Sequence, residues 1–124
     1  MFPKKYALVL ITILSLSLFV SCERETSGEK IRVGFSQAMS NDDWRRSMNN
    51  SMLLQASLNP NIELIIRDAN YDVEKQIDQL EELIKDSLDI IIVSPIQSKP
   101  ITSVVEKALE LGIPVLVVDR KTED

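Results

Sequence analysis

The chain contains no histidine, one cysteine and three glycines in 124 residues, and only 5% of it is aromatic. Without histidine there is no imidazole to act as a general base, to complete a nucleophile triad or to bind a metal. A single cysteine, Cys22, excludes an intrachain disulfide and any dithiol redox couple. The glycines fall at Gly28, Gly34 and Gly112. They form neither a Gly-x-Gly-x-x-Gly turn nor a Gly-Lys-Ser/Thr run, so no phosphate cradle is indicated. Positive charge is also scarce, with 14 Lys and Arg against 19 Asp and Glu and a net charge of −5. A balance this acidic disfavours nucleic acid as a partner, because phosphate-backbone binding relies on clustered cations.

The N-terminus has a recognisable anatomy. Lys4 and Lys5 precede an uncharged, mostly apolar stretch from Tyr6 to Val20, after which come Ser21, Cys22 and the charged segment Glu23–Lys30. A positive start, an apolar run and a small residue at the break fit a secretory signal peptide over residues 1–21. The run is shorter than the ~20 residues that span a hydrocarbon core. Phe19-Val20-Ser21-Cys22 resembles the lipobox of bacterial lipoproteins, with Phe where the family usually has Leu. That resemblance implies lipidation at Cys22, a tether over residues 22–30, and a periplasmic protein anchored to the cell envelope membrane through its lipid. Loss of the leader removes Lys4 and Lys5 and no acid, taking the charge from −5 to −7.

From Ile31 onward the hydrophobic period alternates. Ile31–Ser36, Ile62–Arg67, Asp89–Val93 and Val115–Val118 are rich in β-branched residues and read as strands. Between them, Trp44, Met48 and Met52 recur every fourth residue. Val73, Ile77, Leu80 and Ile84 form a second helical stripe, and Ile101, Val104, Val105, Ala108 and Leu109 a third. Asn41, Asp42 or Asp43 can cap the first helix, Asn59-Pro60-Asn61 ends it, and Gly112 suits a left-handed turn after the last. Four strands separated by helices imply an α/β fold, a three-layer parallel sheet with helices on both faces. The unbroken apolar runs at Ile90–Val93 and Val115–Val118 agree with burial on both sides.

In such a sheet, ligands bind beyond the carboxyl ends of the strands. The residues that follow the strands are Ser36, Gln37 and Asn41 to Trp44, then Asp68 to Asp72, then Ser94 to Gln97, and last Asp119 and Arg120. Amides, carboxylates, a guanidinium and the lone tryptophan suit a sugar: planar polar groups bridge neighbouring hydroxyls, and an aromatic face meets the C–H surface. Asp42 and Asp43 could form a catalytic carboxylate pair, although adjacent acids at a helix start ordinarily serve its cap and dipole. A phospho-receiver needs an aspartate after the third strand, where Ser94 and Pro95 stand.

The segments Arg32-Val33-Gly34-Phe35-Ser36, Asp68-Ala69-Asn70-Tyr71-Asp72 with Gln76, Asp89–Pro95 and Gly112–Arg120 resemble type I periplasmic binding proteins, the ribose-binding and lac-repressor-like sugar-binding domains. Asn41–Arg46 with Met48-Asn49 is similar to a variant in Bacteroidetes that forms the sensor of hybrid two-component regulators or a substrate-binding lipoprotein. The resemblance covers about residues 31 to 121 and implies non-catalytic recognition of a sugar or similar polyhydroxylated solute, with no cofactor and no metal. It assigns sugar contacts to Asp119 and Arg120, a stacking face to Trp44, and first-lobe or cleft-border positions to Gln37, Asp43 and Gln97. It also implies a transporter permease or a kinase as partner. Family members close two lobes over the ligand, and residues 31–124 correspond to the N-terminal part of the first. Weak or absent sugar binding by this chain alone is therefore expected. Two other classes remain open: a small α/β enzyme or receiver-like domain, with Asp43 as its reactive carboxylate, and a repressor of the lac type. The leader and the lack of a helix-turn-helix before residue 31 speak against the repressor.

Overall fold

The computed structural model describes residues 28–120. The expected leader, Cys22 and most of the tether lie outside the described residues. The elements follow the order β1 (Ile31–Gln37), α1 (Asp43–Leu58), β2 (Ile62–Asp68), α2 (Val73–Lys85), β3 (Ile90–Val93), α3 (Ser98–Glu110) and β4 (Val115–Val117). All four strands join one parallel sheet in the order β2-β1-β3-β4. The register pairs Val33 with Leu64 on one side and with Ile90 on the other. The chain moves outward from β1 to β2, then crosses back over β1 to lay down β3 and β4. Strand order therefore reverses between β1 and β3, which is where an open α/β sheet forms its binding crevice.

Successive residues of a strand point to opposite faces, and β1 shows which helix covers which. An added Cβ at Gly34 would lie 2.4 Å from Leu88 Cδ1, beneath α2. Ser36, on the same face, bonds to Gln76 of α2. Val33 and Gln37 point the other way, Val33 lining a groove with Met52 and Ala56 of α1 and Gln37 bonding to Asn49 of α1. The three layers are thus α1, the sheet, and α2 with α3, in agreement with the alternation of the sequence.

The two outer layers are unequal. The main core lies between the sheet and α2/α3, where Leu80, Leu83, Leu88, Ile91, Val93, Ile101 and Ala108 are buried together. No residue of α1 is buried, so the Trp44/Met48/Met52 stripe is not a core stripe. Met52 lines an apolar groove with Val33, Ile62 and Leu64, while Trp44 in the first turn is 55% exposed. The alternation also puts Leu116 of β4 on the α1 side, and there it is exposed. Cover on both faces, expected from the apolar runs, is uneven on the α1 side, where Phe35 is fully buried and Leu116 is exposed.

Local chemistry sets the boundaries. Asp42 caps α1 by accepting the Arg45 backbone N–H at 2.8 Å, and Asp72 caps α2 by accepting that of Lys75 at 3.1 Å. Helix α1 stops at Leu58, before Pro60. Gly112 follows the end of α3 with φ 81°, the left-handed conformation that glycine adopts without a Cβ clash.

Candidate functional site

The carboxyl ends of β1 and β3 are tied together by one buried side chain. Gln76 Nε2 donates to Ser36 Oγ at 3.2 Å and to the Ser94 carbonyl at 2.9 Å, and its Oε1 accepts the Ile96 N–H at 2.9 Å. With both ends of the amide engaged, the loop after β3 is held against β1 at the point where strand order reverses. Ser36, Ser94 and Pro95 are buried beneath it. This gives the rim a fixed floor.

Above that floor a charged network links α1 to β4. Arg45 donates through Nη1 to Asp42 Oδ2 at 2.6 Å and through Nη2 to Asp119 Oδ2 at 2.5 Å. Ser94 Oγ also donates to Asp119 Oδ2, at 3.4 Å. The Arg45 side chain is only 12% exposed and that of Asp119 24%, so this ion pair is largely withdrawn from water. The Arg45 backbone N–H and guanidinium hold the Asp42 carboxyl below its ordinary range, and Asp42 in turn raises the Arg45 guanidinium above its own. Arg45 Cζ also lies 5.5 Å from the Trp44 ring centroid, within cation–π range. Asp119 itself has φ 70°, a conformation uncommon for a residue with a side chain.

Arg45 therefore brings Trp44 and Asp119 to one rim. Arg120 stands beside them, with Nη1 donating to the Ile96 carbonyl at 2.6 Å. The other residues expected at the site are placed differently. The Gln37 side chain is fully buried, donating from Nε2 to Asn49 Oδ1 and accepting the Ala38 N–H on Oε1. It braces the β1–α1 loop from below. Asn49 extends this brace by donating to Ser40 Oγ at 2.8 Å. Gln97 is exposed at the N-cap of α3 and makes no capping bond with its side chain. The Asp43 side chain is 98% exposed and pairs with Arg46 one turn along the helix. Among the described residues, no group of three or more Asp, Glu or Cys is placed to hold a metal ion.

After β1 the strand-end inventory stops at Trp44, one residue before Arg45. A signal is nonetheless present: Asp42 and Arg45 stand three apart across a helix start, the spacing of an intrahelical ion pair. Its reach to Asp119, 74 residues on, is a product of the fold.

A sequence profile of the periplasmic binding protein domain matches residues 33–124. The chain belongs to this family. Among its relatives, the ribose import binding protein of Bacillus subtilis (strain 168) is 31% identical over 129 residues, covering 96% of this chain and 42% of that protein. The solved fructose-binding periplasmic domain of a hybrid two-component system superposes with a TM-score of 0.71 at 35% identity, over 76% of this chain and 31% of that one. The binding component of the arabinose transporter from Shewanella sp. ANA-3 gives a TM-score of 0.69 at 32% identity, over 75% and 30%. This chain spans less than half the length of each of these periplasmic binding proteins. By their descriptions, these relatives are binding proteins rather than enzymes.

Proposed function

We propose that this chain supplies part of a non-catalytic binding site for a carbohydrate or similar polyhydroxylated solute. The observation that carries the reading is the Arg45–Asp119 pair, which gathers the lone tryptophan, two carboxylates and two guanidinium groups at one rim. Carboxylates accept from sugar hydroxyls, guanidinium groups donate to them, and an indole more than half exposed offers a stacking face. Asp119, Arg120 and Trp44 take the direct contacts in this reading, with Asp43 and Gln97 at the periphery and Gln37 beneath. The names of the relatives, which bind ribose, fructose and arabinose, support the same class of ligand.

The leader and Phe19-Val20-Ser21-Cys22 support export and a lipid anchor at Cys22 outside the cytoplasm. Mass spectrometry of the membrane fraction tests this, since a mature chain starting at unmodified Cys22, or an uncleaved leader, contradicts it. An import binding protein and a domain of a hybrid two-component system both stand among the relatives, which supports either a transporter permease or a kinase as partner.

The sugar reading is tested by following the Trp44 indole and the Asp119 and Arg120 amides by NMR during titration with ribose, fructose and L-arabinose. Saturable shifts confined to this rim are expected. The absence of any shift with all three sugars refutes carbohydrate recognition at this rim.

A further inference from the structure

Arg45 has the geometry of a residue that aims another. Its two terminal nitrogens are divided between carboxylates from opposite ends of the fold, Asp42 at the cap of α1 and Asp119 after β4. Its Nε is buried without a hydrogen-bond partner. A guanidinium arranged for its own sake would satisfy that third position. Here the orientation follows the two carboxylates instead.

Asp119 needs such a hold. Its φ of 70° is disfavoured for any residue with a Cβ, and the β4 ladder ends before it. The Val118 N–H still bonds the Val93 carbonyl at 2.9 Å, so the backbone is fixed up to Val118 and turns away at Asp119. Arg45 and Ser94 both bond Oδ2, and Oδ1 has no hydrogen bond among the described residues. The pair thus holds the carboxylate by one oxygen and leaves the other to accept from a ligand. The same guanidinium lies beside the Trp44 ring, so its position is linked to that of the aromatic surface.

We propose that Arg45 is a positioning residue of the rim, fixing the left-handed Asp119 so that Oδ1 is presented to a ligand hydroxyl and coupling that presentation to Trp44. Lysine cannot replace it, because one ammonium group does not bridge two separated carboxylates as a planar fork does. The ligand part of the proposal rests on the carbohydrate reading above, whereas the hold on Asp119 does not.

The test uses the full processed chain and the variants Arg45→Met and Arg45→Lys, each followed by NMR. In the parent chain the Asp119 amide is expected to show the strong intraresidue contact to its Hα that a positive φ produces. Both variants are expected to lose it while the Val118 amide stays protected from exchange. If Arg45→Met fails to fold, Arg45→Lys alone decides the point. An unchanged Asp119 signature in a folded variant overturns the proposal and leaves Arg45 a purely stabilising ion pair. In a second arm, fructose is titrated into the parent chain and Arg45→Lys. The variant is expected to need on the order of tenfold more fructose for the same Asp119 shift. Equal dependence on fructose overturns the role in ligand presentation. If the parent chain shows no response to fructose, the arm is run with ribose and L-arabinose; if none of the three shifts Asp119, the ligand part falls together with the carbohydrate reading, and the hold on Asp119 is judged by the first arm.

Discussion

The side-chain amide of Gln76, fully buried in α2, donates to the backbone carbonyl of Ser94 at the end of β3. One residue of a helix thereby fixes two strand ends and the loop between β3 and α3. Replacement by leucine keeps the volume and removes every bond. It leaves the Ser94 carbonyl, the Ser36 hydroxyl and the Ile96 N–H unpaired in a site without water access. Gln76→Leu is expected to cost about 2–4 kcal/mol, since each buried group left unsatisfied costs about 1–3 kcal/mol and some relaxation follows. Urea unfolding measures this directly, and a loss below about 1 kcal/mol would show that the loop finds other partners.

Helices α2 and α3 end alike but with different residues at the same step. Gly112 after α3 has φ 81°, and Ser87 after α2 has φ 52°. Both amides bond back to carbonyls of the last turn, Ser87 to Ile84 and Gly112 to Leu109. An added Cβ at Gly112 meets nothing within 4 Å, so only the backbone conformation opposes a side chain there. Gly112→Ala is expected to destabilise by about 1 kcal/mol, and Ser87→Gly to stabilise by about 0.5–1 kcal/mol. Thermal melts of the two variants should move in opposite directions.

The close approach of β1 to α2 gives a third expectation. A Cβ at Gly34 would fall 2.4 Å from Leu88 Cδ1 and 3.2 Å from both Leu83 methyl carbons. Those leucines are buried in the main core and have little room to yield. Gly34→Ala is expected to lower stability by about 1–3 kcal/mol, the usual range for overpacking. A paired Leu88→Val change, which shortens the opposing side chain, should recover part of that loss. Strict additivity of the two changes would place the clash elsewhere.

The alternation of apolar runs and helical stripes was enough to read the strand and helix sequence, because each period is a direct projection of the local geometry. Asp119, Arg120 and Trp44 were legible as strand-end and helix-start residues for the same reason. The limits have equally local causes. Trp44, Met48 and Met52 share a helical face, but periodicity cannot say whether anything packs over that face, and α1 buries none of its residues. Gln37 belongs to the polar residues at a strand end, yet alternation turns its side chain under α1 toward Asn49. Arg45 became visible only when the fold brought β4 beside the start of α1.

Acid should weaken the α1 cap in a defined way. The Arg45 backbone N–H, with its guanidinium, favours the charged form of Asp42, so the folded-state pKa lies below the ordinary 3.8. The unfolded chain then binds a proton at Asp42 more readily than the folded one, and stability rises with pH across that interval. The contribution is complete above the ordinary value and is lost as pH falls through the lowered folded value. Glu81, lowered from 4.5 by its bond to Lys107 across α2 and α3, acts with the same sign. Asparagine caps a helix nearly as well as aspartate, so Asp42→Asn removes the charge and retains the cap. The variant should be less stable than the parent at neutral pH, and the difference should shrink as the solution is taken down to about pH 2. Urea midpoints measured along this series decide the matter. A stability difference that stays constant with pH would mean that the pairing of Asp42 with Arg45 carries none of the acid sensitivity.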